Sequence, residues 1–483
     1  MQTDILLLSQ EETHPFYSGV NSYFLDPLLA PPALPLKKFS AAPPLGITLL
    51  ASALRREGFT ALPLYNFFSR EKEKERLLEE LEKKPFAAGL STTHTFRPET
   101  LRAAAELVKK ISPKTVLIAG GPGAEWNEDL RPAGGYTALG PGEGALTELL
   151  RALRAGADPA GVANLILPDG KPSPGARRPP PQLESLPFPD WGLYPAAPRG
   201  VAVQGSRGCS RACGFCSYSA PYDARSAASV LAELRRNRNL WGIRRFRFTD
   251  SDFAGDPARA LEICRGLEED GGFAWTCFAR ADSLLRPGLA PALRRAGCQW
   301  VFLGVESGSD EMLRAMDKGC GAEAMRAGIA AAKSAGLGTH GNFVVGYPGE
   351  TRATLAETLA FVKGAGLDTV YFSPFQIRSP GIPALARAQG GLSGGREGWS
   401  HATMSSGEML KYAREIGEEI SSDPGAPLLG SEALFSLFSE GEGEAYRANV
   451  LEFFGAFRRW HAGRRSGNGA ELALARKTME KHL

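Results

Sequence analysis

Cys209, Cys213 and Cys216 stand in the run Gly208-Cys-Ser-Arg-Ala-Cys-Gly-Phe-Cys-Ser217, a CxxxCxxC spacing with Phe215 just ahead of the last cysteine. Thiolates are soft ligands, and three of them on one loop can hold three irons of a four-iron four-sulfur cluster, leaving the fourth iron without a protein ligand. An iron left open in this way can bind and activate a small molecule. Two other chemistries also use clustered cysteines. A structural zinc site closes with four ligands, and no fourth cysteine or histidine lies close to this loop in the sequence. A disulfide framework suits a secreted chain with paired cysteines. Here the triplet is odd, the other cysteines are scattered, and the start Met-Gln-Thr-Asp-Ile-Leu-Leu-Leu lacks a basic signal-peptide region. Cys264, Cys277, Cys298 and Cys320 lie in apolar or helical surroundings and read as buried structural thiols.

Composition narrows the class. At 483 residues, with 43% hydrophobic and 23% charged residues, the chain reads as a globular protein of two or three domains. A net charge of +3, widely dispersed, gives no reason to expect nucleic acid as a partner. No apolar run approaches the roughly 18 residues that span a bilayer, so the cytosol is the expected location.

The cysteine loop needs a frame, and the alternation of apolar β-rich runs with amphipathic stretches predicts an α/β fold. Residues 1–155 read as a doubly wound, Rossmann-like domain with strands at Ile5–Ser9, Thr60–Tyr65, Phe86–Ser91, Thr115–Ala119 and Tyr136–Leu139. Open sheets of this kind bind ligands beyond the carboxyl ends of their strands. The loops there carry Ser91, Thr92, Thr93 and His94, then Gly120, Gly121 and Pro122, then Gly140, Gly142 and Glu143. Residues 156–199, rich in Pro, Gly and Arg, read as a linker with one small hairpin near Ala163–Leu167. Residues 200–384 alternate again. Strands from Gly200, Arg244, Phe273, Trp300, Thr339 and Thr369 predict a partial (βα)6 barrel, with the cysteine loop directly after its first strand. Residues 385–483 lose this rhythm and read as helical, with candidates at 405–421, 432–438 and 447–462. Gly398–Met404 precedes them. Its Ser or Thr suits a helix cap, and its Trp399-x-His401 pair reads as aromatic packing, with a substrate-channel wall as the alternative.

The cysteine spacing resembles the signature of the radical S-adenosylmethionine (SAM) superfamily. That resemblance implies that the methionine end of SAM chelates the open iron and that cleavage of the sulfonium yields a 5′-deoxyadenosyl radical. It also implies SAM-holding positions at the strand ends: Phe215 in the loop, Asp250 and Asp252 toward the methionine amine, Arg280 toward the carboxylate, Glu306 toward the ribose hydroxyls, and Asn342 to Gly346 beside the adenine. For each charged residue a helix cap or a surface ion pair is the competing reading.

The loops of the first domain, together with Pro43-Pro44-Leu45-Gly46 and the connector Leu-Pro-Phe-Pro-Asp-Trp191, resemble the cobalamin-binding domain fused to a radical SAM core. In that family the corrinoid lies over the strand ends, which implies contacts from Ser91, Thr92, Thr93, Gly120, Gly121, Pro122, Gly140, Gly142 and Glu143. The Asp-x-His-x-x-Gly motif that ligates cobalt from below in other cobalamin proteins is not present. His14 stands in Glu12-Thr13-His14-Pro15-Phe16-Tyr17-Ser18-Gly19, one residue too long and without the aspartate, and reads as a solvated loop histidine.

The resemblance as a whole implies a cobalamin-dependent radical SAM enzyme, foremost a methyltransferase acting on an unactivated carbon or phosphorus, fed by a flavodoxin- or ferredoxin-type electron donor. Two alternatives stand beside it. One keeps both cofactors but uses cobalamin as an electron relay in a rearrangement, cyclisation or oxidation. The other is a carrier or sensor without turnover. No residue names the substrate or a general acid or base.

Overall fold

A computed structural model of the chain describes residues 3–12, 42–95, 97–175, 177–217, 221–395, 398–430 and 444–481. These fall into two compact units, one of residues 3–12 and 43–198, the other of residues 199–481. His14 and the helix expected at 432–438 lie outside the described residues.

In the first unit the chain runs through β1 (Ile5–Ser9), α1 (Leu45–Arg56), β2 (Ala61–Tyr65), α2 (Glu71–Glu82), β3 (Ala87–Ser91), α3 (Pro98–Ile111), β4 (Val116–Gly120), α4 (Pro122–Trp126), β5 (Tyr136–Ala138), α5 (Glu143–Arg154) and β6 (Leu165–Ile166). The sheet order is β2-β1-β3-β4-β5-β6, parallel up to β5. This is the doubly wound arrangement predicted from the alternation. β1 is the sequence Ile-Leu-Leu-Leu-Ser, buried at every position, as a central strand covered on both faces must be. Leu6, Leu8, Leu64, Leu77, Leu81, Ala88, Leu101 and Val108 form the core on the α2 and α3 side.

The segment read as a linker is built into this unit. β6 pairs antiparallel with β5, and the short hairpin continues through a bridge from Ile166 to Pro172. Farther on, the connector lies along α1. Leu183 and Leu186 pack on Leu49, the Asp190 N–H donates to Ser52 Oγ at 2.8 Å, and the Tyr194 hydroxyl meets Thr48 Oγ1 at 2.7 Å.

The second unit begins with β7 (Gly200–Val203), followed by the short pair β8 (Ser206–Arg207) and β9 (Asp223–Ala224). Then come α6 (Ala227–Trp241), β10 (Arg245–Phe248), α7 (Pro257–Asp270), β11 (Ala274–Arg280), α8 (Leu289–Arg295), β12 (Cys298–Glu306), α9 (Asp310–Ala315), α10 (Ala322–Ser334), β13 (Gly338–Val345), α11 (Arg352–Gly364), β14 (Thr369–Pro374) and α12 (Pro383–Ala386). The carboxyl-terminal part adds β15 (Ser393–Gly395), β16 (Gly398–His401), β17 (Met404–Ser405), α13 (Ser406–Ser422), β18 (Leu428–Leu429), α14 (Glu444–Ser466) and α15 (Gly469–Lys481).

The main sheet is parallel in the order β18-β14-β13-β12-β11-β10-β7, so the six expected strands gain a seventh, β18, beside β14. Further elements escaped the periodicity: the β8-β9 pair, α9, α12, α15 and the small antiparallel sheet β15-β16-β17. The cap of α13 is Ser405, whose hydroxyl accepts the Glu408 N–H while Glu408 reaches back, a full capping box one residue past the stretch expected to supply it.

Side chains alternate along a strand, so Trp300, Phe302 and Gly304 share one face of β12. Trp300 and Phe302 on that face pack against Val450, Phe453, Phe454 and Phe457 of α14, with Phe278 of β11 beside them. The carboxyl-terminal helices therefore cover the face of the sheet that carries Trp300 and Phe302.

Candidate functional site

The cysteine loop leaves the carboxyl side of β7, and its root is anchored by a buried ion network. Asp250, 0% exposed, accepts the Gly205 N–H and the Ser206 hydroxyl, each at 2.8 Å. Arg259 approaches Asp250 at 3.5 Å and donates to the Gly205 carbonyl at 2.8 Å. Arg259 also binds the carbonyl of Arg225, which is itself paired with the buried Glu233. Both oxygens of Asp250 thus hold the start of the loop. Burial raises its carboxyl pKa, with Arg259, Ser206 and Gly205 pulling the other way.

All seven cysteines are free. Cys209 and Cys216 are half-exposed and Cys213 is buried, and the Cys216 N–H closes a turn on the Cys213 carbonyl at 3.0 Å. Among the described residues no three His, Cys, Asp or Glu side chains are already gathered as a metal-holding set. The fit to an iron-sulfur cluster rests on donor chemistry: three soft thiols on one short loop, none committed to a disulfide. Burial pushes the Cys213 thiol up, opposed by Lys318, reinforced by Glu306, and opposed again by Arg280. Beside that cysteine, the Gly214 N–H donates to the Met316 carbonyl at 2.9 Å, which ties the loop to the segment carrying Lys318.

Those strand ends lie side by side, since β10, β11, β12 and β13 are consecutive in the sheet. Asp252, half-buried after β10, accepts the Arg280 N–H and the Ser283 hydroxyl, both at 3.3 Å. Arg280 at the end of β11 grips Asp282 with two bonds of 2.9 and 3.0 Å, and donates to the Lys318 carbonyl at 2.6 Å. Glu306 ends β12 where the pairing with β13 slips, at φ +70°, a conformation that costs a non-glycine residue about 1–3 kcal/mol. Its carboxylate meets Lys318 Nζ at 3.0 Å. Asn342 is half-buried on β13, and Gly346 opens the turn that follows. Phe215 presents its edge to Tyr347 at 6.4 Å between ring centres.

Two residues enter this site that the sequence had given no part in it. Lys318 sits in the loop after α9, and nothing in its local sequence sets it apart from a surface lysine. Cys320, read as a buried structural thiol, is instead half-exposed, 3.1 Å from the Arg280 guanidinium. Burial and the nearby Asp282 push its thiol up to about 11, which keeps it protonated and unreactive at neutral pH. Cys264, Cys277 and Cys298 are fully buried, as expected. The Trp399-His401 pair stacks at 5.2 Å, with the indole N–H on the Phe375 carbonyl and the imidazole on the Gly346 carbonyl. It packs on the turn after β13 and is buried.

In the first unit the last rung of the sheet is, from β1 to β5, a row of small residues beside Tyr65 of β2. Ser9, Ser91, Gly120 and Ala138 are successive cross-strand partners on β1, β3, β4 and β5. Ser9 Oγ is buried and finds no partner among the described residues. A low shelf with an unsatisfied hydroxyl suits a large polar-edged ligand such as a corrinoid with its nucleotide tail. Thr92 faces inward: its hydroxyl donates to the Gly120 carbonyl and accepts the Ala124 N–H, both at 2.9 Å. Thr93 is exposed beside it. Gly121, at φ +99°, passes so close to these threonines that a Cβ would lie 3.0 Å from Thr93 Oγ1. Pro122 opens α4, and the Gly140 N–H donates to Glu125. Gly142 caps α5, whose first residue, Glu143, is buried.

Comparison with known families matches residues 203–362 to the radical SAM superfamily and residues 39–150 to the B12 binding domain. Residues 203–362 are thus a radical SAM domain, and a B12-binding domain precedes them in the chain. These two domains bring a four-iron four-sulfur cluster, SAM and cobalamin as cofactors, and radical SAM chemistry consumes a reducing electron. An uncharacterized methyltransferase of Pyrococcus horikoshii is 28% identical over 364 residues, covering 71% of this chain and 77% of the relative. An anaerobic magnesium-protoporphyrin IX monomethyl ester cyclase of Rubrivivax gelatinosus is 26% identical over 65% of this chain and 61% of its own length. The fold of this radical SAM enzyme is shared with the radical SAM methyltransferase TsrM of Kitasatospora setae, at a TM-score of 0.60 and 19% identity over 80% of this chain and 76% of TsrM. No helix among the described residues is long and apolar enough to cross a membrane.

Proposed function

We propose that this radical SAM enzyme transfers a methyl group to an unactivated carbon or phosphorus centre, with Cys209, Cys213 and Cys216 as the cluster ligands. One observation carries the reading: a B12-binding unit shares the chain with a radical core whose cysteine loop is tied, by the Gly214 N–H on the Met316 carbonyl at 2.9 Å, to the segment that brings Lys318 to Glu306 and Arg280. The methyltransferase name of the Pyrococcus relative supports the reaction type.

When bound, the cofactors supply one-electron cleavage of a sulfonium, hydrogen-atom abstraction and a carrier for the methyl group. The chain's own residues bind and orient. Arg280 and Lys318 place positive charge where a carboxylate would sit, and Glu306 offers an acceptor to ribose hydroxyls. Asp252 takes the amine side, Phe215 gives an apolar edge, and Asn342 and Gly346 flank the base. Asp250 acts one step back, by fixing the loop root. In the first unit Ser91, Thr93, Gly120, Gly121, Pro122, Gly140, Gly142 and Glu143 border the shelf for cobalamin, and Thr92 shapes it from behind. A flavodoxin- or ferredoxin-type protein of the cytosol is the electron donor in this reading.

Similarity to the anaerobic cyclase favours a second reading, in which cobalamin relays electrons in a cyclisation or oxidation and no methyl is transferred. Anaerobic reconstitution with iron, sulfide and hydroxocobalamin, followed by reduction with SAM present, tests both. Formation of 5′-deoxyadenosine that disappears when the three cysteines become alanine supports the radical core. A product heavier by one CH2 selects methylation, and product without it selects the relay. A cluster that survives the triple substitution would sink the ligand assignment.

A further inference from the structure

Gly214 lies in the middle of the cysteine loop, and three distant stretches of chain converge on it. Its N–H donates to the Met316 carbonyl just past α9, and its own carbonyl accepts the Ala384 N–H of α12, both at 2.9 Å. From a third side comes Tyr347, 0% exposed, so close that a Cβ on Gly214 would stand 2.0 Å from the phenol oxygen. That hydroxyl donates to Gln389 Oε1 at 2.8 Å and lies 3.3 Å from the Ala315 carbonyl. Gln389 Nε2 donates to the same carbonyl at 2.7 Å, closing the triangle.

We infer that the Tyr347 hydroxyl and Gln389 are positioning groups for the cysteine loop, locking the Cys213-to-Cys216 segment to α9 and to the chain after β14. The inference rests on the cluster assignment above and deepens it. A loop that must offer its thiols to one rigid cluster gains from having a single conformation before the cluster arrives, and a buried hydroxyl wedged against a side-chain-free residue permits only one. Phenylalanine at 347 would keep the ring against Phe215 and Phe375 but leave the Gln389 amide oxygen without its donor. Gln389 lies beyond the matched radical SAM segment, so this contact also ties the carboxyl-terminal region to the cofactor loop.

The test compares wild type, Tyr347→Phe, Gln389→Ala, Gly214→Ala and the double variant G214A/Y347F after anaerobic reconstitution. Iron and sulfide retained against a chelator, and the electron paramagnetic resonance of the reduced cluster with and without SAM, are the readouts, with circular dichroism as the folding control. Tyr347→Phe and Gln389→Ala are expected to fold normally yet hold the cluster about tenfold less well, the usual scale for groups that orient metal ligands. Gly214→Ala is expected to lose more, and to lose less when added to Tyr347→Phe than when added to wild type, because the obstructing oxygen is gone. Unchanged iron retention and SAM response in both single variants, or strictly additive losses, would overturn the inference while leaving the cluster assignment intact. A wild-type chain that takes up no iron would overturn the assignment and the inference with it.

Discussion

Glu306 Oε1 and Lys318 Nζ stand 3.0 Å apart, with side chains only 11% and 5% exposed, at the mouth of the radical core. Neither charge has bulk water to fall back on. Removing one partner strands the other, which in buried pairs costs about 3–5 kcal/mol, whereas replacing both by neutral isosteres costs much less. Lys318→Met is therefore expected to destabilise the second unit strongly, and Lys318→Met combined with Glu306→Gln to recover most of the loss. Urea unfolding of the single and double variants measures this coupling, and additive losses would disprove it.

Glu350 gives the fold a pH dependence. Its carboxyl is 0% exposed, accepts the Gly346 N–H through Oε2, and has no partner for Oε1 among the described residues. Burial raises its pKa to about 8, far above an ordinary carboxyl, so the folded state holds a proton that the unfolded chain has released. The stability this contributes is complete below the unfolded pKa of about 4.3 and is lost as pH rises toward 8, by at most about 1.4 kcal/mol per pH unit. Glutamine mimics the protonated form. Glu350→Gln should flatten the decline in melting temperature between pH 5 and 8, and an unchanged slope would rule Glu350 out as its source.

Adjacent threonines in the first unit should behave in opposite ways. Thr92 is buried and serves both the Gly120 carbonyl and the Ala124 N–H. Thr92→Val leaves that N–H without an acceptor and is expected to cost about 1–3 kcal/mol. Thr93 is exposed, so Thr93→Ala should stay within about 0.5 kcal/mol of wild type. Cobalamin uptake, read from the absorbance of the reconstituted protein, should fall in Thr93→Ala at unchanged melting temperature. Uptake equal to wild type would remove Thr93 from the cobalamin shelf.

Phe453 of α14 is fully buried against β12 residues Trp300 and Phe302. Truncation to alanine leaves a cavity under the sheet and should cost about 3–5 kcal/mol. Leu474 on α15, 62% exposed, serves as control, and Leu474→Ala should change stability by less than about 0.5 kcal/mol. Denaturant midpoints of the two variants decide it. Equal effects would mean that α14 contributes no core.

Local pattern fixed the two βα series, the edge at which they present loops, and the identity of the cysteine loop. Strand alternation and thiol spacing are short-range properties that a sequence displays directly. The strand β18, two residues long, carries too few positions for any period to register and exists only because β14 offers a ladder. Asp250 and Arg280 illustrate a different gap. Composition could place a carboxylate and a guanidinium at the strand ends, but only the packing of Gly205, Arg259, Asp282 and Lys318 around them decided which oxygens and nitrogens were already taken. The same holds for Lys318 itself, for Cys320 beside Arg280, and for Tyr347 over Gly214. Each such contact joins residues far apart in the chain, and loop closure, burial and excluded volume, which select them, act on the folded chain as a whole.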